Sequence, residues 1–226
     1  MKLKLTVAAL AAMLTVPAMA GTPVVTETPE PTTAPAPEPI AFEVGAFYSF
    51  PTKDIISWGP GFAGKKVHML GGDITSVYQI DDSSSATIRL GYGTGSATRQ
   101  YLGGRDRYRL HTFTLMPGYR YSVKVDDAVT CFAGVGAGVS NSSLKFKNTE
   151  VIPGFGTVRD SAHGSEWGFV YSAEVGVSYA VSQDVSVFLA YEFSGNTARP
   201  RLNNGYNKSA NQQVYHTIRA GVSCQF

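Results

Sequence analysis

Between Ala41 and Phe226 apolar and polar residues alternate with a period of two, in eight segments separated by turn-forming residues. No other feature constrains the fold as strongly. Successive side chains of a strand point to opposite faces, so period two describes a surface that is apolar on one side and polar on the other. The segments are predicted at about 41–50, 66–80, 86–97, 107–123, 129–145, 166–180, 185–196 and 213–226. Each can cross a bilayer as a tilted strand, for which about 9 to 11 residues suffice. In the last, Val214, His216, Ile218, Ala220, Val222, Cys224 and Phe226 share one face, and Tyr215, Thr217, Arg219, Gly221, Ser223 and Gln225 the other. The sixth and seventh repeat the pattern, and the fifth sets Cys131, Ala133, Val135, Ala137 and Val139 against Gly134, Gly136 and Gly138.

The connections alternate too. Those at 81–85, 124–128 and 181–184 are short, and those at 51–65, 98–106, 146–165 and 197–212 are long. An even strand number, short turns at one end and long loops at the other describe a closed antiparallel barrel in an outer membrane. Composition agrees. Charged residues make up 16% of the chain, below the roughly 25% of soluble domains, while 24 Gly, 12 Tyr and 12 Phe favour Gly-rich, aromatic β structure. No apolar run outside the leader is long enough for a membrane-spanning helix.

Lys2 and Lys4, the apolar stretch Leu5 to Pro17, and Ala18-Met19-Ala20 form a secretory signal peptide over residues 1–20. Without its two lysines, bases and acids balance, so electrostatic argument rests on placement. Residues 21–40 hold Pro23, Pro29, Pro31, Pro35, Pro37 and Pro39 among Thr, Ala and Glu, the composition of an extended periplasmic spacer. Residues 41–226 are the barrel.

A soluble lipocalin-like barrel has the same alternation with the apolar face turned inward. What favours the membrane is the aromatic Phe226 closing the last alternating strand. Phe132 to Ser140 (FAGVGAGVS), Phe169 to Asp184 (FVYSAEVGVSYAVSQD) and Ile218 to Phe226 (IRAGVSCQF) resemble the eight-stranded outer-membrane β-barrel superfamily of the OmpA transmembrane domain, the opacity proteins and the Ail/OmpX group. The resemblance spans roughly residues 41–226. It implies an all-β, up-and-down transmembrane barrel in a Gram-negative-type outer membrane, a monomer among lipid and lipopolysaccharide, delivered by the barrel-assembly machinery through the strand ending at Phe226. Cys224 departs from the pattern, which has an aromatic there.

The polar face gathers four acids, Glu43, Asp73, Glu174 and Glu192, and three arginines, Arg89, Arg120 and Arg219. In a narrow lumen such charges must pair. A charge network that plugs the lumen is expected, with Glu192 and Arg219 meeting across neighbouring strands; a small gated pore is the alternative. The long connections are basic, with Lys65, Lys66, Arg99, Arg105, Arg107, Arg199, Arg201 and Lys208. These are expected to contact lipopolysaccharide phosphates or an acidic host or environmental glycan.

Catalysis is not expected. His163-Gly164-Ser165 offers a His and a Ser on one face, as a lipid A-modifying hydrolase needs, but Glu166 and Glu174 fall on the other face, so no carboxylate completes the set. His68, His111 and His216 read as scattered interfacial aromatics rather than ligands. Cys131 and Cys224 are expected as free thiols, too far apart around the wall to bond. No cofactor, metal or nucleic-acid partner is expected.

Overall fold

A computed structural model describes residues 40–56, 65–154, 156–203 and 210–226. The expected signal peptide and nearly all of the expected spacer lie outside the described residues, as does Lys208. Eight strands follow in chain order: β1 (Ile40–Pro51), β2 (Met69–Gln79), β3 (Ser84–Tyr101), β4 (Gly104–Lys124), β5 (Val129–Ile152), β6 (Gly156–Ala180), β7 (Val185–Asn196) and β8 (Gln213–Gln225). Each pairs antiparallel with its chain neighbour, and β8 closes on β1. This is the expected fold.

The strands tilt, and the pairing shows it. Followed once around the ring, Ala41 leads to Val77, Thr87, Gly118, Gly136, Ser172, Ser194 and Tyr215, and Tyr215 pairs with Pro51 rather than with Ala41. Such a stagger fixes the radius of a closed barrel and leaves a lumen that side chains can fill.

The outside is apolar through the middle of the wall. Phe42, Val44, Leu70, Ile74, Leu90, Leu115, Val135, Phe169, Val175, Leu189, Ile218 and Val222 are all exposed there. So much exposed apolar surface suits lipid and not water. Tyr78, Tyr121, Tyr179 and Phe226 mark the short-turn end, and Tyr48, Phe50, Tyr92, Trp167 and Phe193 the long-loop end.

The two central hairpins are longer than the sequence suggests. Segment 98–106 pairs until only Leu102 and Gly103 remain as turn, and segment 146–165 pairs as far as Ile152 and Gly156. Gly103, Gly154 and Gly156 have φ of 85°, 85° and 88°, a left-handed backbone that glycine adopts without a Cβ penalty, so the chain reverses tightly at both tips. β3 to β6 therefore continue as an upright four-stranded sheet beyond the apolar belt. At this height the alternation inverts its sense: Arg105, Arg107 and Arg109 face out, and Asp106, Tyr108 and Leu110 face in. Charged residues outward and apolar residues inward suit water as the outer solvent at this height.

Candidate functional site

The lumen is filled in layers. Lowest are Phe132, Phe188 and Ala190, an apolar cluster on which the charged residues rest. The Arg120 guanidinium lies 4.5 Å from the Phe132 ring centre, and that of Arg219 lies 5.4 Å from the Phe188 ring centre.

All seven charged residues meet in the next layer, each buried. Arg120 grips Glu43 with both terminal nitrogens and reaches Glu174 from Nη2 at 3.1 Å. Arg219 donates to Asp73 from Nε and Nη2, and to Glu174 Oε2 from Nη1 at 2.8 Å. Arg89 donates to Glu174 and Glu192. Glu174 is thus the hub that all three arginines share. Buried charge in this density is tolerated only because every guanidinium has two carboxylate partners.

The expected pairing of Glu192 with Arg219 is not what forms. Across the β7–β8 ladder Glu192 stands opposite Thr217, and Arg219 opposite Ala190. Long side chains in a narrow tube reach across the lumen instead, Glu192 to Arg89 on β3 and Arg219 to Asp73 on β2.

Above the network is a chamber of about 90 Å³, lined by Arg89, Glu192, Asp73, Met116, Ser194 and Thr217 among others. A polar layer roofs it. Ser140 donates to Asn196, Asn196 to Ser142, and Gln213 to Ser142 and to the carbonyl of Ala198. Over this layer lies an apolar cap of Val67, Tyr108, Leu110, Leu144 and Phe146 with Ile55, Ile56, Leu202 and Ala210. The last four come from the connections after β1 and β7, which are stitched together by backbone bridges from Ile56 to Lys65 and to Ala210.

The connection after β7 is a strap across the inside of β6. Ala198, Pro200 and Leu202 point inward, while Arg199 and Arg201 stay exposed. It fits because β6 has glycine beneath it: a Cβ on Gly164 would lie 1.7 Å from the Arg201 carbonyl oxygen, and one on Gly168 2.3 Å from the Ala198 nitrogen. Alternation alone did not disclose these two glycines as a landing strip.

The basic residues do not all stand together. Arg105 and Arg107 stand on β4, not in a loop, and with Arg109 form a column beside Lys145 and Lys147 of β5, where Arg107 pairs with Lys147 and Arg109 with Lys145. Arg159 adds a further cation on the same outer face of β6. No acid occupies this outer face of the upright sheet among the described residues; Asp106, Glu150 and Asp160 share the inward phase. Arg99 departs from expectation: it is half-buried on the inward phase of β3, opposite Asp106, so it is not on the column. Lys65 and Lys66 are exposed in the connection after β1.

Three histidines each sit among aromatic rings at separate places on the wall. The His111 ring stacks on Tyr92 and its Nδ1 is hydrogen-bonded to the Tyr92 hydroxyl at 2.8 Å. His216 makes the same pair with Tyr191 and stands between Phe193 and Phe50. His68 stacks on Tyr48, with Phe50 edge-on. His163 and Ser165 share the outer face as expected, and the Ser165 hydroxyl donates to Asn141 at 3.0 Å. Cys131 and Cys224 are free thiols.

No protein-family model matches the chain, and no curated protein matches it either. Solved structures do. The outer membrane protein OprG from Pseudomonas aeruginosa is similar at a TM-score of 0.52 and 13% identity, over 84% of this chain and 96% of that one. Ail, the attachment invasion locus protein of Yersinia pestis, solved in complex with the heparin analogue sucrose octasulfate, is similar at 0.48 and 13% identity, over 84% and 99%. The outer membrane protease OmpT from Escherichia coli is similar at 0.45 and 10% identity, over 86% and 99%. The chain has the fold of the outer-membrane β-barrels, and at these identities the likeness shows the fold alone.

Proposed function

We propose that the protein is a surface-interaction barrel of the bacterial outer membrane, with a closed lumen and a working outer face. It holds polyanions, either the phosphates of lipopolysaccharide or an acidic polysaccharide. The observation that carries this reading is the column Arg105, Arg107, Arg109, Lys145 and Lys147 on a continuously paired sheet whose outer face has no acid among the described residues. Alternate residues of a strand are about 7 Å apart, so the column presents cations at regular intervals on paired backbone. Arginine adds a fork that matches phosphate, sulfate and carboxylate groups. Arg159, and Arg199 and Arg201 on the strap, extend the field.

The test is equilibrium binding of the refolded barrel to lipopolysaccharide and to a sulfated polysaccharide, at low and high salt. Binding weakens steeply with salt in the wild type, and the variant R105Q/R107Q/K147Q loses most of it. Binding that is insensitive to salt, or unchanged in that variant, would overturn the proposal.

A further inference from the structure

All four histidines of the chain, His68, His111, His163 and His216, face outward near the long-loop end, on or leading into the even-numbered strands β2, β4, β6 and β8. Three of them form part of the aromatic girdle. Phe193, His216, Phe50 and His68 run as a continuous strip across β7, β8, β1 and β2, with His216 opposite both Phe193 and Phe50. Tyr92 and His111 continue the girdle on β3 and β4. His163 stands apart, higher on the wall and opposite Lys145 of the basic column.

From this placement we infer that His68, His111 and His216 form a protonatable collar that grips the phosphates of anionic outer-leaflet lipid when the pH falls. Nδ1 of His111 and His216 is held by a tyrosine hydroxyl, which fixes each ring and leaves Nε2 for lipid. The girdle is the depth at which amphipathic rings meet headgroups. Stacking on Tyr and Phe survives protonation, because an aromatic face attracts a cation. The groups around each ring are few. His111 faces Tyr92 from β3, Lys145 from β5 and Arg109 on its own strand; His216 faces Tyr191 from β7 and Phe50 from β1; His68 faces Tyr48 from β1 and follows Lys66. No carboxylate is paired with any of them among the described residues, so the new charge is free to meet a lipid anion. The inference rests on the reading that the apolar belt spans a membrane and not on the polyanion column.

The test follows the imidazole signals of the refolded full chain by NMR at pH 5.5, in phosphatidylglycerol and in phosphatidylcholine vesicles. The ring signals of His68, His111 and His216 are expected to differ between the two lipids, with a smaller difference at His163. Equal signals in the two lipids, or a difference at His163 as large as that of the other three, would overturn the inference. Inorganic phosphate added to the phosphatidylcholine vesicles should leave the signals in place; a matching change there would mean that free phosphate, not lipid, is the ligand. In thermal unfolding, acidification from pH 7.5 to 5.5 should raise the midpoint more in phosphatidylglycerol than in phosphatidylcholine. H68Q/H111Q/H216Q should lose that difference and H163Q keep it; the reverse pattern would contradict the collar.

Discussion

Arg219 holds Asp73 through two parallel hydrogen bonds, Nε to Oδ2 at 3.1 Å and Nη2 to Oδ1 at 2.6 Å, although β1 lies between their strands. Its third contact, to Glu174 on β6, ties the far wall to the same guanidinium. The network therefore braces the tube across its width, which ladder hydrogen bonds cannot do.

Bracing has a hub, so the carboxylates should not be equivalent. Glu174→Ala leaves three buried guanidiniums short of a partner and should cost about 3 to 5 kcal/mol. Glu192→Gln, which keeps a hydrogen-bond acceptor for its one arginine partner, should cost clearly less. Denaturant unfolding in detergent or lipid measures both, and equal losses would contradict the hub.

Pairing across the lumen predicts unequal coupling. In double-mutant cycles, Glu192 with Arg89 should show a coupling of about 1 to 3 kcal/mol, and Glu192 with Arg219 a smaller one. The opposite order would restore the pairing of neighbouring strands that the sequence suggests.

The strap is seated on glycine. Gly164→Val sets side-chain atoms where the Arg201 carbonyl lies, so residues 197–203 should lift off β6. The expected result is fast hydrogen exchange and proteolysis in the strap, with the amides of β1, β7 and the lower half of β6 still protected. Unchanged protection of the strap would show that it does not rest there.

Phe146 is fully buried in the cap, against Tyr108 with ring centres 4.9 Å apart. Phe146→Ala should cost the cap about 3 to 5 kcal/mol, read as loss of exchange protection above the apolar belt only. Loss of protection throughout the barrel would mean that cap and membrane wall are one cooperative unit.

At the short-turn end, the amides of Ser83 and Ser84 donate to the Asp81 carboxylate, both at 2.8 Å. The Ser83 amide and hydroxyl lead in holding its pKa below the ordinary 3.8, and the Ser84 amide adds to them. A depressed carboxylate stabilises the turn at pH above its ordinary value, and that contribution disappears as pH falls through the depressed value. Slow exchange of the Ser83 and Ser84 amides should therefore persist to below pH 3.8 and then be lost, and Asp81→Ala should remove it at every pH.

Much of the barrel was legible because lipid makes the alternation nearly free of exceptions. Leu189, Tyr191 and Phe193 against Phe188, Ala190 and Glu192 on β7 face as their phase requires. The upright sheet was not legible for the same reason inverted. Arg105 to Leu110 and Leu144 to Lys147 alternate just as strictly, but with the charged residues outward, and charge outside the belt reads as loop. The seven network residues are recognisable as polar residues on the inward phase. Their partners are not, because the stagger of the ring decides which long side chains meet across the lumen, and no single strand records it.

The proposed function puts the protein's work on its outer face, and a lumen that holds the charge network beneath the apolar cap is expected to carry no current. Single-channel recording of the refolded barrel in a planar bilayer tests this most directly. The wild type should be silent, and Arg219→Ala should also be silent while the cap remains. Discrete, reproducible conductance steps in the wild type would contradict the closed lumen and move the function inside the barrel.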